Sequence, residues 1–495
     1  MSSAPAESDR RRALALGALA TVLYLATAPG VVNLDGLGYL KQLPHNFAAG
    51  HLLYLPLVRA VTARVGDALA AGRLVDAVCG GLAVGLCFAV ARALLSRRAA
   101  ALAAAGFAVS YGVWVQGSDV EAYAPALLAS LAVLALALAY RRSPVTETAV
   151  GLGLALGIAV LTHLTHVFAT PFVALWISRF APSRRRALVD GAVAVGLGGA
   201  VSLGAYTWAA TEVRGLDLAG MMRWVATAGH GFGYQGGPLG RLADSIYGLS
   251  RALVWSPYLY ESNAQTLLAQ FLLGLGAVAL LAGAAIAARR RLPDAAPLLG
   301  LWIASYAAVA LAFFGSDHER WLFVLAPLWL LGAGALAGTA RGTLALGAAI
   351  AVIAWANATS AIVPAETASW DRTRADAAAE VMREGDLVVL PGHAWDEYVG
   401  FYTHVNVRLM PLAYYAGLAG KEGCAERLAR EIDAARDRGG RVFVVRILDD
   451  DGDPRGWWEL EHLGLGRDAL RAMLGRWKAE RLHTSQEKVT VWRLD

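Results

Sequence analysis

The residues able to do chemistry in this 495-residue chain collect in four short stretches. The first, VVNLDGLGYLKQLPHNFAAGHLLY (31–54), places Asp35, Tyr39, Lys41, His45 and His51 directly after an apolar run. The second carries Trp114, Asp119, Glu121 and Tyr123, the third His163 and His166, and the fourth Asp317, His318, Glu319 and Arg320. Positioned carboxylates serve as general bases for an attacking hydroxyl. A guanidinium fork matches the geometry of a phosphate. His163 and His166 are three apart and share a face if their segment is helical. With Asp35 or Glu121 they would make a divalent-cation site, for magnesium or manganese. Otherwise they hydrogen-bond a substrate or neighbouring helices. Taken singly, each of these groups reads as an ordinary loop residue; their common location is what calls for explanation.

That location follows from the elements between them. The chain is 57% hydrophobic and 17% charged, with a mean hydropathy of +0.47. A soluble domain is nearer half apolar and a quarter charged. The excess falls in blocks long enough to cross a bilayer core. Hydropathy and flanking arginines predict about eleven spans, near 13–32, 72–95, 99–116, 122–140, 147–162, 164–180, 188–210, 264–288, 296–314, 320–340 and 342–363. Arg10–Arg12, Arg97–Arg98, Arg141–Arg142, Arg184–Arg186, Arg289–Arg291 and Arg341 then share one side. By the positive-inside rule that side is the cytoplasm. The net charge of +5 is thereby accounted for without a nucleic-acid partner. All four chemistry-bearing stretches fall on the opposite side, where ionisable groups tend to be paired or to line a water-filled cavity. With an odd number of spans, residues 364–495 fall on that outer side too.

The expected architecture is a polytopic α-helical membrane domain over 1–363, with outer loops 33–71 and 211–263, followed by a soluble domain over 364–495. Within the first loop, 50–71 is apolar but broken by Arg59, Arg64 and Asp67. It reads as an amphipathic helix in the interface rather than a span. The long loop carries Trp224, His230, Tyr234, Trp255, Tyr258 and Tyr260, with a glycine-rich stretch at 229–240. The tail alternates helices at 371–384, 394–403, 421–438 and 467–479 with strands at 386–390, 408–412, 441–448 and 488–494, which argues for an α/β sheet. PGH (391–393) after its first strand reads as a turn. Three cysteines, two of them in one apolar span, give no disulfide framework. The arginine-led first apolar run reads as an uncleaved span rather than a signal peptide.

Several stretches resemble membrane glycosyltransferases of the GT-C superfamily, above all bacterial relatives of the protein O-mannosyltransferases. They are LDGLGYL…HNFAAGHLLYLPL, SYGVWVQGSDVEAYAPALLASLAVL (110–134), GLALGIAVLTHLTHVFATPFVAL (153–175) and HERWLFVLAPLWLL (318–331). The first departs from the family by reading NFAAG at 46–50, with His45 displaced. The resemblance implies transfer of a sugar, with inversion, from a polyprenyl-phosphate donor to an acceptor hydroxyl on the outer face of the cell (inner) membrane. The acceptor would be a glycan, a lipid or a protein. On that reading Asp35 is the candidate base, and Glu121 orients the acceptor or shares a metal. Arg320 is the candidate partner of the leaving phosphate, with Lys41 as an alternative. Tyr39, Trp114 and Tyr123 would pack on sugar or polyprenyl chain; His45, His51, His163, His166 and Glu319 complete the expected substrate site. No cofactor is required beyond that open metal. Two other classes remain: a lipid or glycan flippase, which should show charge at the bilayer midplane and matched broken helices, and a non-catalytic assembly protein working through its outer domain.

Overall fold

A computed structural model describes residues 7–495 apart from 31, 44–46, 49, 228–237, 256–263, 313–316, 363–375, 378, 391–404, 406, 446, 449–459, 461–463 and 485–490. Expectations for His45, His230, Tyr234, Tyr258, Tyr260, most of 229–240, the PGH turn and the helix near 394–403 fall outside the described residues. The chain divides into two compact units: Met1–Pro29 with Tyr39–Glu366, and Gly30–Gly38 with Thr367–Asp495.

The first unit is helical. Apolar runs in a medium without water must satisfy every backbone group internally, and the helix does so within one segment. Its helices are α1 (Glu7–Ala26), the end of α2 (Leu34–Gln42), α3 (Tyr54–Val65), α4 (Ala68–Arg92), α5 (Arg97–Val109), α6 (Tyr111–Ser118), α7 (Tyr123–Arg142) and α8 (Thr146–Thr162). They continue with α9 (Thr170–Phe180), α10 (Arg184–Trp208), α11 (Leu218–Thr227), α12 (Pro238–Leu253), α13 (Ala264–Ala288), α14 (Ala296–Ala312), α15 (Leu322–Leu336) and α16 (Ala340–Asn357). Asp67, Ser96, Ser183 and Thr339 start helices by accepting an otherwise unpaired amide N–H.

The chain is a multi-pass membrane protein. Six helices among the described residues are long and apolar enough to cross a bilayer, or seven if α5 and α6, bent by 63°, form one span. This measure does not reach eleven, and the reason is local. Helices α8 and α14 are apolar but only 17 residues long. The stretch expected as a span over 164–180 opens as a 3-10 turn (Leu164–Ala169) before an 11-residue α9. Segment 50–71 is not a span: α3 ends at Gly66, whose φ of 82° suits glycine.

Ion pairs tie the arginine-bearing helix ends together. Asp9 accepts from Arg92 and Arg97, joining α1, α4 and α5. Asp190 takes Arg186, Tyr140 and Thr146, and Asp294 meets Arg141 and Arg179. Close packing needs small residues: a Cβ on Gly81 of α4 would sit 2.5 Å from the Gly17 carbonyl oxygen of α1.

The second unit holds a five-stranded sheet in the order β2-β1-β3-β5-β4, with β1 (Leu387–Leu390), β2 (Arg408–Pro411), β3 (Val442–Val445), β4 (Ala479–Leu482) and β5 (Val491–Leu494). Strands β1, β2 and β3 run parallel, while β5 pairs antiparallel with both β3 and β4. Strands β1 and β3 are fully buried hydrophobic runs. Helices α17 (Leu412–Asp437, broken at Gly420) and α18 (Arg467–Leu474) supply Leu428, Ile432, Leu470 and Leu474 to the same core.

Candidate active site

Four breaks in helical structure build a polar cluster inside the first unit. Segment 50–53 is held against the end of α8 by Leu53 N–H to Leu161 O (3.0 Å) and Leu164 N–H to Gly50 O (2.9 Å). This brings the rings of His51 and His163 to 4.6 Å. Helix α8 stops because His163 turns extended (φ −156°, ψ 120°). Its Nδ1 then accepts the Thr165 backbone N–H (3.2 Å) and lies 2.7 Å from the Thr165 hydroxyl. The break between α6 and α7 buries Asp119 and Glu121. Before α15, Asp317 caps a 3-10 turn (His318–Trp321) by accepting the Glu319 N–H at 3.1 Å, with Arg320 Nε 3.7 Å from its other oxygen.

Two acids meet there. A carboxylate oxygen of Glu121 and one of Glu319 lie within 4.8 Å of each other. Gln116 donates to Glu319 at 3.1 Å. Tyr123 packs on His163 (4.8 Å between centroids) and on His51 (5.9 Å), while Tyr39 meets His51 at 5.7 Å. A small cavity is lined by Tyr123, His163, Thr165, Tyr306, Glu319 and Arg320, among others. Buried charge paired in this way is costly unless something binds it.

The cluster thus joins Glu121, Tyr123, His51, His163, Glu319, Arg320 and Tyr39. Asp35 stands exposed in the first turn of α2, in the part of that helix that goes with the second unit. Lys41 lies in the last turn of the same helix. Two expectations are redirected. Buried His166 uses both nitrogens within the protein, Nδ1 with the Tyr306 hydroxyl at 2.5 Å and Nε2 with the Ala126 carbonyl at 3.1 Å. Of its readings, hydrogen bonding to neighbouring helices is the one these contacts match. Trp114 is buried and donates to Thr27 at the end of α1 (2.8 Å), so its indole is occupied in packing.

Three contributors are new. Asp76 of α4 accepts the Glu121 backbone N–H (2.9 Å) and the Tyr54 hydroxyl (2.7 Å) through one oxygen. Gln116 and Thr165 orient Glu319 and His163 as given above. Asp76 had a sequence signal as an acid within an apolar span, and Gln116 lies in the motif stretch 110–134.

Residues 52–205 match the family described as dolichyl-phosphate-mannose-protein mannosyltransferase. The fold is similar to that of ArnT from Cupriavidus metallidurans bound to undecaprenyl phosphate, at a TM-score of 0.62, 14% identity and 97% of both chains. It is also similar to the apo oligosaccharyltransferase of Archaeoglobus fulgidus (TM-score 0.59, 14% identity, 95% of this chain and 73% of that one). The archaeal oligosaccharyltransferase AglB from the same organism, in complex with an inhibitory peptide and a dolichol-phosphate, gives 0.57 at 11% identity over 95% and 72%. No curated protein sequence matches. The fold is therefore shared with these solved structures, and the resemblance read from the motifs holds at the level of the fold.

Proposed function

We propose that the chain is a membrane glycosyltransferase that moves a sugar from a polyprenyl-phosphate-linked donor to an acceptor hydroxyl, with inversion, on the outer face of the inner membrane. The observation that carries the reading is the Glu121–Glu319 carboxylate pair beside Arg320 and an aromatic wall, set in a fold shared with ArnT, whose structure holds undecaprenyl phosphate. Transfer from such a donor leaves a lipid phosphate, and Arg320 supplies the matching guanidinium. Tyr39, His51 and Tyr123 form a surface suited to a sugar ring, whose C–H face packs on aromatics. Glu121 orients the acceptor hydroxyl. Asp35 is the proposed general base on the sequence argument, as the first acid after the first apolar span. The acceptor class, glycan, lipid or protein, belongs to the same proposal.

Two carboxylates this close repel unless they share a proton or a cation. A magnesium or manganese ion held by Glu121 and Glu319 would relieve that repulsion and screen a departing phosphate. Loss of turnover on chelation, restored by added manganese, would establish it; turnover unaffected by chelation would leave the shared proton.

The topology that goes with this function has eleven crossings, the first residues in the cytoplasm and residues 364–495 outside. The direct test of function is Asp35→Asn, compared with wild type and with a strain lacking the gene, by profiling envelope glycans at equal membrane abundance. Loss of one glycan species in both the variant and the deletion supports the reading and names the product. A species lost on deletion but kept in Asp35→Asn removes Asp35 as base. A profile unchanged by deletion sinks the glycosyltransferase reading.

A further inference from the structure

One buried acid has no task in that scheme. Asp76 is fully buried in α4. Its Oδ2 accepts both the Tyr54 hydroxyl and the Glu121 backbone N–H, while Oδ1 is buried with no hydrogen-bond partner among the described residues. A lone carboxyl oxygen in a helix bundle is an energetic cost, and an apolar side chain of similar size would pack there without it. Folding alone therefore gives no reason for an acid at this place.

The two donors that Asp76 collects come from different elements, α3 and the break between α6 and α7. Glu121 belongs to the short break between α6 and α7, where the helix-starting residue Ala122 makes no side-chain cap. Its amide is held by α4 through Asp76. Val120, its neighbour, packs so closely on Gly72 of α4 that a Cβ there would come within 2.9 Å. From α3, the Tyr54 ring meets Tyr39 at 5.1 Å, Tyr39 meets His51 at 5.7 Å, and His51 meets His163 at 4.6 Å. One oxygen atom thus fixes the backbone beneath Glu121 and the base of the aromatic wall together.

We infer that Asp76 is a positioning residue: it sets the Glu121 carboxylate relative to Glu319 and the aromatic wall, and acts through Glu121 rather than on substrate. This rests on the role given to Glu121 above. What matters in Asp76 is an acceptor oxygen for two donors. Asp76→Asn keeps that acceptor and loses the charge; Asp76→Leu loses both.

The test uses the full chain in lipid nanodiscs, with three readouts: hydrogen exchange of amides 119–123, binding of undecaprenyl phosphate as probe, and the envelope glycan made at equal abundance. Asp76→Leu should raise exchange in 119–123 by about tenfold or more and cut glycan by about tenfold or more, with probe binding essentially unchanged. Asp76→Asn should restore exchange and glycan to within about threefold of wild type, a difference smaller than one net hydrogen bond. Tyr54→Phe, which leaves the Glu121 bond in place, should leave exchange at 119–123 as it is. If Asp76→Leu does not accumulate, Asp76→Cys, a poor acceptor, carries the same expectation. Unchanged exchange in Asp76→Leu, or in Asp76→Cys where it stands in, overturns the proposal. So does damage in Asp76→Asn equal to that in Asp76→Leu, or probe binding that falls in step with glycan. Raised exchange with full glycan output leaves the contact standing and removes Glu121 from the reaction.

Discussion

His163 and His166 sit three residues apart and have been given opposite work. In His163 the Thr165 N–H donates to Nδ1, so the neutral ring carries its proton on Nε2. Burial, with His51, His166 and Arg320 nearby, holds this ring well below the usual histidine value. The neutral form is therefore favoured in the folded state, and its stabilising effect is present above about pH 6.5 and fades as pH falls below that. We expect His163→Gln to leave the shape of the turnover profile unchanged between about pH 6 and 8; a lost limb in the profile would show that the ring titrates there. His166→Ala, which strands the Tyr306 hydroxyl and the Ala126 carbonyl, should lower stability by about 1–3 kcal/mol. The check is thermal unfolding in detergent, with undecaprenyl phosphate binding unaffected in the protein that remains folded. That Glu121, His163, Glu319 and Arg320 would gather was legible from the one side of the membrane that their stretches share. The separation of His163 from His166 was not, since it depends on Tyr306 and Ala126, which are 140 and 40 residues away.

At the scale of the element, hydropathy locates the apolar helices but not their interruptions. The bend at Ser110 is fixed by Trp329, whose indole N–H donates to the Ser110 hydroxyl at 2.9 Å across 219 residues. The break at Glu121 is likewise fixed from α4. Composition cannot report such contacts, so a span predicted over 99–116 is observed as two helices bent at 63°. The α1–α4 contact rests on the small residues Gly81 and Gly85. Gly81→Leu should cost about 1–3 kcal/mol by forcing α1 away, read as a lower melting temperature. In the second unit, β1 and β3 are locked at one end by Asp386, which accepts the Arg441 N–H (2.9 Å), an Arg441 guanidinium nitrogen (2.7 Å) and the Arg383 N–H (2.8 Å). Burial works to raise this carboxyl, but the Arg441 bonds outweigh it and hold it below the usual carboxylate range. Its contribution is complete above about pH 3.9 and is lost as pH falls through the lower folded value. Asp386→Ala should destabilise this unit by about 1–3 kcal/mol near neutrality and flatten that acid limb, both measurable by unfolding across pH.

For the whole molecule, charge is the more informative signal, because the positive-inside bias acts on loops and is indifferent to where a helix bends. The ion pairs of Asp9 and Asp294 join arginine-bearing helix ends. The orientation can be read by labelling introduced cysteines. Cys87 and Cys424 are buried and Cys79 is partly so, which keeps background low. Ser143→Cys, exposed after α7, should react with a membrane-impermeant maleimide only in opened cells, and Glu422→Cys, exposed on α17, in intact ones. The reverse pattern would invert the topology and remove the outer-face reading of function.

The strand order has a consequence in time. Strand β5 (Val491–Leu494) is the last of the five to be synthesised, yet it lies between β3 and β4 and pairs with both. Until it arrives, β3 presents an open edge and β4 has no neighbour. The sheet therefore closes only after β5 has been made. Deletion of Val491–Leu494 would remove an interior strand and not an edge one.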